Sequence, residues 1–322
     1  MRKSILLLAI SCVLAGFAVQ PAAAAGVKIT PLGSHDGEFC ARDRAMIFED
    51  PDGTRILYDP GQTVVGANDP RLGKIDVVLL SHVHTDHLGD RHTKAVNAGT
   101  CAKPDLSVVD APSSNTEKIV IAKRAKFLVG GEMNSFFAKR IAAGGGDKNQ
   151  VLVLRFGASR KLGGVTIWSV PAAHTNGLAA EFLTGPLAKE MAENGLTAYV
   201  GPPGGYVLRF SNGLTAYLSG DTGVISEQKT VIHDELHANL AVMNIGGAFS
   251  TGPTEAAYVM DELVKPNSVI ASHANEAATK NGKILPGTKT AAFKAASKMP
   301  VYASLSGKTM EFDGKGKCVG GC

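Results

Sequence analysis

A cluster of metal-binding side chains within six consecutive residues constrains the fold of this chain more than any other feature. The cluster comprises His82, His84, Asp86 and His87. It directly follows an apolar run at residues 77–80, and such a run ending in polar ligands is typical of a buried strand that delivers a rigid loop. Imidazole and carboxylate ligands together suit zinc, manganese or ferrous iron rather than calcium or magnesium. The sequence therefore predicts a metal site at a strand end.

Three further candidate ligands occur at similar positions later in the chain. Each follows a strand-like segment: His174 follows residues 165–170, Asp221 follows 214–218, and His273 follows 268–272. Together with the first cluster they make more ligands than the four that a tetrahedral zinc ion accepts. They suit two metal ions sharing one carboxylate, and such a pair, about 3.5–4 Å apart, can bind both the attacking and the leaving oxygen.

Short apolar segments alternate with turn residues along the rest of the chain. Strands are predicted at residues 27–32, 45–49 and 55–58, and the turn Asp52-Gly53 joins the last two as a hairpin. Helices are predicted at residues 115–126, 134–143, 186–193, 224–237, 253–264 and 288–298. Early hairpins followed by alternating helices and strands indicate two sheets packed together with helices outside. Because no linker rich in Pro or Ser divides the chain, we predict one domain over residues 26–322.

The combined pattern resembles the metallo-β-lactamase superfamily. The residues that carry the resemblance are His82-x-His84-x-Asp86-His87, His174, Asp221 and His273. The segments at residues 219–223 and 244–253 are similar to the lactonase-like metal-dependent hydrolase branch, which includes enzymes that open sugar lactones. The resemblance spans nearly the whole chain after its leader. It implies an α+β fold: a four-layer αβ/βα sandwich of two mixed sheets with helices outside.

The same resemblance implies how the ligands are shared. His82, His84 and His174 would hold one zinc ion, Asp86, His87 and His273 would hold the second, and Asp221 would bridge them. Mn²⁺ and Fe²⁺ are alternatives to the two Zn²⁺ ions. The resemblance also implies a bridging hydroxide as the nucleophile, because a bound cation lowers the pKa of water from about 15.7 to near 7. Asp86 and Asp221 are the expected catalytic carboxylates.

Asp221 also separates the candidate reactions. β-Lactamases of this superfamily generally lack a bridging Asp at this position, so its presence favours a hydrolase that opens a lactone, ester or related bond. A periplasmic metallo-β-lactamase is the alternative, because secreted antibiotic-degrading enzymes occupy that compartment. A phosphodiesterase-type hydrolase is less favoured. A metal-stabilised binding protein without catalysis is disfavoured because the ligand set is complete.

The first 25 residues predict an export signal. A basic start precedes an apolar stretch that extends to Val19, and the four alanines at residues 22–25 suit signal peptidase. A membrane anchor is the alternative, but the stretch is short for a membrane span. Lipidation at Cys12 fits only loosely. We therefore expect a periplasmic or secreted protein with no stable membrane insertion.

The charge of the chain restricts its partners. The formal net charge is +4 over 322 residues, and no block of like charge stands out. Electrostatic binding to nucleic acid or to a membrane surface is therefore not indicated. We expect a small-molecule substrate and no nucleic-acid partner, and the sequence leaves a homo-oligomer open.

Four cysteines remain after the leader, and an even count favours disulfides in an oxidising compartment. They allow three pairings. Cys318 and Cys322 are close in a Gly-rich tail and are expected to pair, which leaves Cys40 to tie an early loop to Cys101. A zinc site made of cysteines is the competing interpretation, and the lack of any Cys-x-x-Cys pair argues against it.

Two further histidines have the spacing of a known metal-binding motif. His233 and His237 lie four residues apart on a predicted helix, which is the spacing of His-Glu-x-x-His metalloproteases. Because the acid is displaced by one position, we predict a solvated helix face instead. The long segment 175–205 is expected to form a wall or lid over the metals, where substrate specificity would lie.

Overall fold

The computed structural model describes residues 25–322 of the chain. Apart from its last residue, the predicted leader at residues 1–25 lies outside the described residues, and the single domain over 26–322 stays a prediction. None of the helices within the described part of the chain combines the length and the apolar character needed to cross a bilayer.

Two large mixed sheets dominate the described residues. The first has eight strands in the order Val151–Val153, Lys126–Val129, Val77–Leu79, Arg55–Tyr58, Met46–Glu49, Val27–Pro31, Met310–Phe312 and Cys318–Gly320. The second has seven strands in the order Ser159–Leu162, Val165–Pro171, Gly204–Arg209, Thr215–Leu218, Leu240–Asn244, Ser268–Ser272 and Val301–Ala303. Short two-stranded pairs join Arg91–His92 to Val108–Val109, Gly99–Thr100 to Lys103–Pro104, Gly177–Leu178 to Ala198–Tyr199, and Thr279–Lys280 to Lys283–Ile284.

Helices and single helical turns connect these strands. The α-helices are Thr85–Leu88, Asn115–Lys123, Met133–Ala143, Pro186–Asn194, Pro253–Tyr258 and Lys289–Ala296, with 3₁₀ turns at Lys148–Gln150 and Ala180–Phe182 and π-helical turns at Gln228–His233 and Val259–Val264. The helix predicted at 115–126 ends at Lys123, because Arg124 adopts a left-handed backbone with φ 52°. The helix predicted at 224–237 was too long, since the regular part is confined to the π-helical turn.

Three apolar cores hold the layers together, and they confirm the four-layer arrangement. Residues of both sheets fill the central core, where Phe48 packs with Leu208 and Ile270. A second core lies between the first sheet and the helices that contain Ile119 and Phe137. A third core packs the second sheet against the helical segments around Ile232, Val259 and Phe293. Each sheet is therefore covered by helices on the face that does not meet the other sheet.

Strand direction decides where the functional side chains can meet. Arg55–Tyr58 and Val77–Leu79 run parallel in the first sheet, as do Thr215–Leu218, Leu240–Asn244 and Ser268–Ser272 in the second. The carboxyl ends of parallel strands lie at one edge of a sheet, which is where ligands bind in open α/β sheets. The predicted ligands follow these ends, so the fold brings them to a common edge of the sandwich.

Candidate metal centre

The early cluster lies on a loop and a single helical turn that follow a fully buried strand. Val77–Leu79 is buried along its whole length, as a parallel strand covered on both faces should be. The chain then passes through His82 and His84 into the short helix Thr85–Leu88, which carries the other two ligands of the cluster. Burial of the strand fixes the position from which the loop departs, and this makes the ligand geometry rigid.

Three histidines form the first group of potential ligands. Ligand atoms of His82, His84 and His174 all lie within 4.8 Å of one another. The Nδ1 atom of His84 is 3.2 Å from Nε2 of His174, although the two residues are 90 positions apart in sequence. The structure thus brings together the three residues that the resemblance assigned to one metal ion.

The second predicted group also assembles. Ligand atoms of Asp86, His87 and His273 lie within 4.8 Å of one another. Nε2 of His273 is 3.3 Å from Oδ2 of Asp86, and Nε2 of His87 is 3.8 Å from the same oxygen. These nitrogens and oxygens converge on a common point, which is the arrangement that a cation with nitrogen and oxygen ligands requires.

Asp221 lies between the two groups. Its Oδ1 atom is 3.4 Å from Nε2 of His87, and its Oδ2 atom is 3.1 Å from Nε2 of His273. The same Oδ2 atom is 3.8 Å from Nε2 of His174, a member of the first group. This carboxylate contacts both groups, which is the position that the resemblance implies for a bridging ligand.

Several buried polar atoms at the centre have no hydrogen-bond partner within residues 25–322, and they provide a test of whether a metal fits. They are Nε2 of His82, Nε2 of His87, Oδ1 of Asp221 and Nε2 of His273. Leaving a buried polar atom without a partner costs roughly 1–3 kcal/mol. Several such atoms gathered at one point are explained if they serve as metal ligands, so the residues present fit a bound cation.

Electrostatics keep the first group ready to bind. Burial lowers the pKa of His82 well below its ordinary value. Burial, followed by the neighbouring His174, also lowers the pKa of His84, and burial lowers that of His174. These imidazoles are therefore neutral near pH 7, and neutral imidazole is the form that binds metals.

The second group differs, because it is rich in negative charge. Burial alone would lower the pKa of His87, but the carboxylates of Asp221, Asp86 and Asp59 outweigh it and raise this pKa to about 10. Burial likewise opposes ionisation of Asp86, yet His87, His273 and Arg44 hold its pKa well below the ordinary range. A cation entering the second group thus has to displace the proton of His87.

Asp59 was missed as a functional residue by the sequence interpretation. Its Oδ2 atom accepts hydrogen bonds from Nδ1 of His87 at 2.8 Å and from the hydroxyl of Ser81 at 2.7 Å. Since Ser81 gives its single hydroxyl proton to Asp59, Nδ1 of His82 must donate to the Ser81 oxygen, 2.9 Å away. Asp59 therefore keeps a proton on Nδ1 of both imidazoles and directs Nε2 at the centre, as outer partners of metal-bound histidines do. The available signal was its position at the end of Arg55–Tyr58, next to the strand that leads to His82.

A second missed residue ties the two histidine loops together. Asn176 accepts a hydrogen bond from the backbone N–H of Val83, which lies between His82 and His84, at 2.9 Å. Its side-chain amide donates to the carbonyl of Gly201 at 2.9 Å. Asn176 is buried and stands two residues after His174, so it anchors the long segment 175–205 beside the first group of ligands. That placement agrees with the wall predicted for this segment.

Sequence comparison bears on the same stretch of chain. The family model described as a beta-lactamase superfamily domain matches residues 43–273, a range that contains all seven predicted ligands. The chain belongs to the metallo-β-lactamase superfamily. Among curated relatives, a UPF0173 metal-dependent hydrolase from Koribacter versatilis is 28% identical over 251 residues, which are 77% of this chain and 84% of the relative.

Solved structures of other proteins share the fold. Igni18, described as a novel metallo hydrolase from Ignicoccus hospitalis, aligns with a TM-score of 0.59 and 21% identity over 89% of this chain and 98% of its own. The metallo-beta-lactamase fold protein YhfI from Bacillus subtilis aligns with a TM-score of 0.54 and 15% identity over 89% of this chain and 99% of its own. The likeness confirms the α+β sandwich predicted from the sequence.

Two backbone features of this superfamily member hold the ligands closely. A Cβ atom on Gly61, whose φ is 54°, would collide with the backbone oxygen of Asp86, so only glycine allows this approach. His273 itself adopts a left-handed backbone with φ 51°. Such conformations are uncommon for non-glycine residues and concentrate at functional sites.

His233 and His237, which have the spacing of a metalloprotease motif, lie outside the centre. Nδ1 of His233 contacts the carbonyl of Val264 at 2.8 Å, and Nδ1 of His237 contacts the carbonyl of His233 at 3.0 Å. Neither residue belongs to a group of potential metal ligands among the described residues. His233 is the last residue of the π-helical turn and His237 follows it, so the two do not share an α-helical face, and they carry no metalloprotease motif.

The cysteine pairs of the sequence interpretation are also placed together. The sulfurs of Cys40 and Cys101 lie at bonding distance, with Cα atoms 4.7 Å apart. Those of Cys318 and Cys322 do the same, with Cα atoms 6.4 Å apart. The first pair includes Cys40, four positions before Arg44, whose side chain donates hydrogen bonds to Asp86.

Proposed function

We propose that the protein is an exported hydrolase with a dinuclear metal centre that opens a lactone, ester or related bond. The observation that carries the proposal is the position of Asp221, whose two oxygens face both ligand groups at 3.1–3.8 Å. One group offers three imidazoles, and the other offers two imidazoles and a carboxylate. Two Zn²⁺ ions suit this donor set, and Mn²⁺ or Fe²⁺ are the alternatives.

The metals and the side chains have separate tasks in this proposal. Bound cations supply Lewis acidity and lower the pKa of water from about 15.7 to near 7. The chain supplies fixed ligands: Asp59 keeps the proton of His87 on Nδ1, so Nε2 stays directed at the centre. His82 is oriented in the same way through the hydroxyl of Ser81. These bonds remove the need to reorganise the imidazoles when substrate binds.

Asp86 is the side chain best placed to move a proton. Burial opposes its ionisation, but the neighbouring positive groups keep its pKa well below the ordinary value, so it is a carboxylate at neutral pH. Its side chain is 21% exposed, compared with 5% for Asp221. Because Asp86 is the more exposed of the two carboxylates, we assign it to accept the proton of the attacking water and to pass that proton to the leaving oxygen. Asp221 is assigned to hold the two halves of the centre together.

Export is part of the proposal. The leader-like residues 1–25 support it, as do the two cysteine pairs that lie at bonding distance. Disulfides persist in oxidising compartments and are rare in the cytosol. A periplasmic or secreted enzyme would take a small-molecule substrate. The small net charge of +4 gives no support for a nucleic-acid partner.

A substrate panel tests the reaction class. The purified protein, loaded with zinc, is assayed with lactones, carboxylic esters, phosphodiesters and a chromogenic β-lactam. We expect turnover of lactones or esters, and we expect Asp221→Asn to lower kcat/KM by at least about 100-fold, because loss of the bridging carboxylate removes a ligand from both groups. His237→Ala serves as the matched control, since its ring contacts only a backbone carbonyl outside the centre.

The outcomes separate the alternatives. Turnover of the β-lactam at the level of ordinary enzymes, with lactones inert, would replace this proposal by the β-lactamase alternative. Preferential turnover of phosphodiesters would do the same for the phosphodiesterase alternative. Unchanged activity after complete removal of metal would overturn metal-dependent catalysis altogether.

A further inference from the structure

A buried arginine from outside the ligand groups contacts the second of them. The side chain of Arg44 is 2% exposed, and its Nε and Nη2 atoms donate to Oδ2 of Asp86 at 3.2 and 3.1 Å. Nη2 also donates to Oδ1 of Asn275, two residues beyond the ligand His273. Two N–H groups of one guanidinium that fork onto a single carboxylate oxygen hold that oxygen in place through charge-assisted hydrogen bonds.

The turn that carries Arg44 is held by polar contacts of its own. Oδ2 of Asp43 accepts the backbone N–H of Cys40 at 2.8 Å, and Oδ1 accepts that of Ser34 at 2.9 Å. Nη1 of Arg44 donates to the carbonyl of Asp43 at 3.0 Å and reaches that of Ala41 at 3.5 Å. The guanidinium is thus braced on one side by its own turn and on the other by Asp86.

The far end of this turn is joined to another part of the chain. Cys40 is fully buried with its sulfur at bonding distance from that of Cys101, 61 positions later. The backbone N–H of Ala41 donates to the carbonyl of Cys101 at 3.0 Å. Arg44 stands four positions after Cys40, the first residue of this covalent link. A constraint at Cys40 therefore acts on the residue that orients Asp86.

We propose that Arg44 is a positioning residue for Asp86, and that the Cys40–Cys101 disulfide holds it in place, so that the second metal position reaches full affinity only in the oxidised protein. The first group, formed by His82, His84 and His174, shares no hydrogen bond or ion pair with Arg44 among the described residues. Its affinity is expected to be independent of the disulfide. The inference rests on the proposed dinuclear function.

The redox step is an ordinary thiol–disulfide exchange. The thiols of Cys40 and Cys101 give up two electrons and two protons and form one S–S bond. A disulfide-bearing oxidant in the export compartment accepts them and becomes a dithiol. On this proposal the reduced chain in the cytosol binds the second cation weakly, and assembly of the complete centre follows export.

Metal affinity tests the role of Arg44 directly. Zinc binding to the full mature protein is measured by competition with a chromophoric chelator, which resolves the two bound equivalents. We expect Arg44→Met to weaken one equivalent by about 10- to 100-fold and to leave the other unchanged, as loss of an outer-shell partner does. Arg44→Lys keeps the charge but not the fork, so it should recover part of the loss. Circular dichroism and the unfolding temperature check that each variant is folded.

A double-mutant cycle tests the link to the disulfide. Serine variants are used because thiol reductants bind zinc themselves. We expect Cys40→Ser with Cys101→Ser to weaken the same equivalent, and Arg44→Met added to that variant to cause less loss than it does alone, since the two changes act through one contact. The matched control, Cys318→Ser with Cys322→Ser, removes the other disulfide and should leave both zinc affinities unchanged.

Each result decides the inference. Equal weakening of both zinc equivalents, additive effects in the cycle, or an equal effect of the control pair would overturn it, as would wild-type protein that binds fewer than two equivalents. The proposed function fails separately: a wild-type protein that binds two zinc ions but hydrolyses nothing in the substrate panel would overturn the reaction and leave the role of Arg44 standing.

Discussion

Asp59 and His87 are paired at the ends of neighbouring elements, with Oδ2 of Asp59 2.8 Å from Nδ1 of His87 and both side chains buried. This contact keeps a proton on Nδ1 of His87, so a metal ion can bind this ring only at Nε2. Burial is the largest single influence on the pKa of His87 and lowers it. The carboxylates of Asp221, Asp86 and Asp59 together outweigh burial and raise this pKa to about 10. The pair therefore sets both the geometry and the protonation state of the second ligand group.

Asp59→Asn tests the pairing. The two oxygens of Asp59 accept three hydrogen bonds: from the backbone N–H of Ser81, from its hydroxyl and from Nδ1 of His87. An Asn side chain has only one oxygen that can accept. We expect zinc affinity of the second position to fall by about 10- to 100-fold and the free energy of unfolding to fall by roughly 1–3 kcal/mol, because a buried donor loses its partner. Chelator competition and denaturant unfolding measure the two effects. Wild-type affinity in this variant would show that Asp59 does not orient His87.

The raised pKa of His87 predicts proton release on metal binding. In the metal-free protein this imidazole is protonated below about pH 10, and a metal binds only the neutral ring. Affinity for the second cation should therefore fall as the pH falls below 10, by about tenfold per unit. At pH 8, calorimetry in buffers of different ionisation enthalpy should detect about one proton released. Absence of any buffer dependence would contradict this protonation state.

Gly61→Ala tests the close approach of two loops. The added Cβ atom would collide with the backbone oxygen of Asp86, so we expect a loss of stability and of the second zinc equivalent. Gly195→Ala is the matched control, because Gly195 has a comparable φ of 64° but no atom within 4 Å of the added carbon. The control should cost only the left-handed backbone penalty, roughly 1–2 kcal/mol. Equal unfolding temperatures and zinc contents in both variants would show that the contact is unimportant.

The histidines outside the centre provide a test of the ligand set. His233→Ala combined with His237→Ala should leave the zinc content unchanged, because both rings contact backbone carbonyls away from the ligand groups. His174→Ala should remove one zinc equivalent, since it deletes one of three imidazoles in the first group. Metal analysis after dialysis gives the stoichiometry. Loss of zinc from the double variant would place a metal site at the π-helical turn.

The convergence of the candidate ligands was predictable because each combines a metal-binding side chain with a position just after a strand. Asp221 and His273 are separated from the early cluster by more than a hundred residues, yet the direction of the strands places them at the same edge. Asp59 was not predicted, because an acid before Pro60 and Gly61 is typical of a turn. Its importance depends on strand pairing that the local sequence does not specify.

Arg44 could not have been assigned from the sequence for a different reason. Its contact with Asp86 spans 42 positions and depends on the path of an irregular loop. Irregular loops have no periodic pattern that indicates which side chain points inward. The same reason applies to the segment predicted as a helix at residues 224–237. Only six of its residues form a regular turn, because contacts with the sheet below override local helix propensity.

The two ligand groups have one further consequence for the protein as a whole. Each group combines residues that follow both sheets. The ligands that follow the first sheet are His82, His84, Asp86 and His87, and those that follow strands of the second are His174 and His273. A cation in either group would therefore cross-link the two sheets along one edge of the sandwich. Removal of the cations should speed amide hydrogen exchange at that edge. The apolar core between the two sheets should keep its protection from exchange.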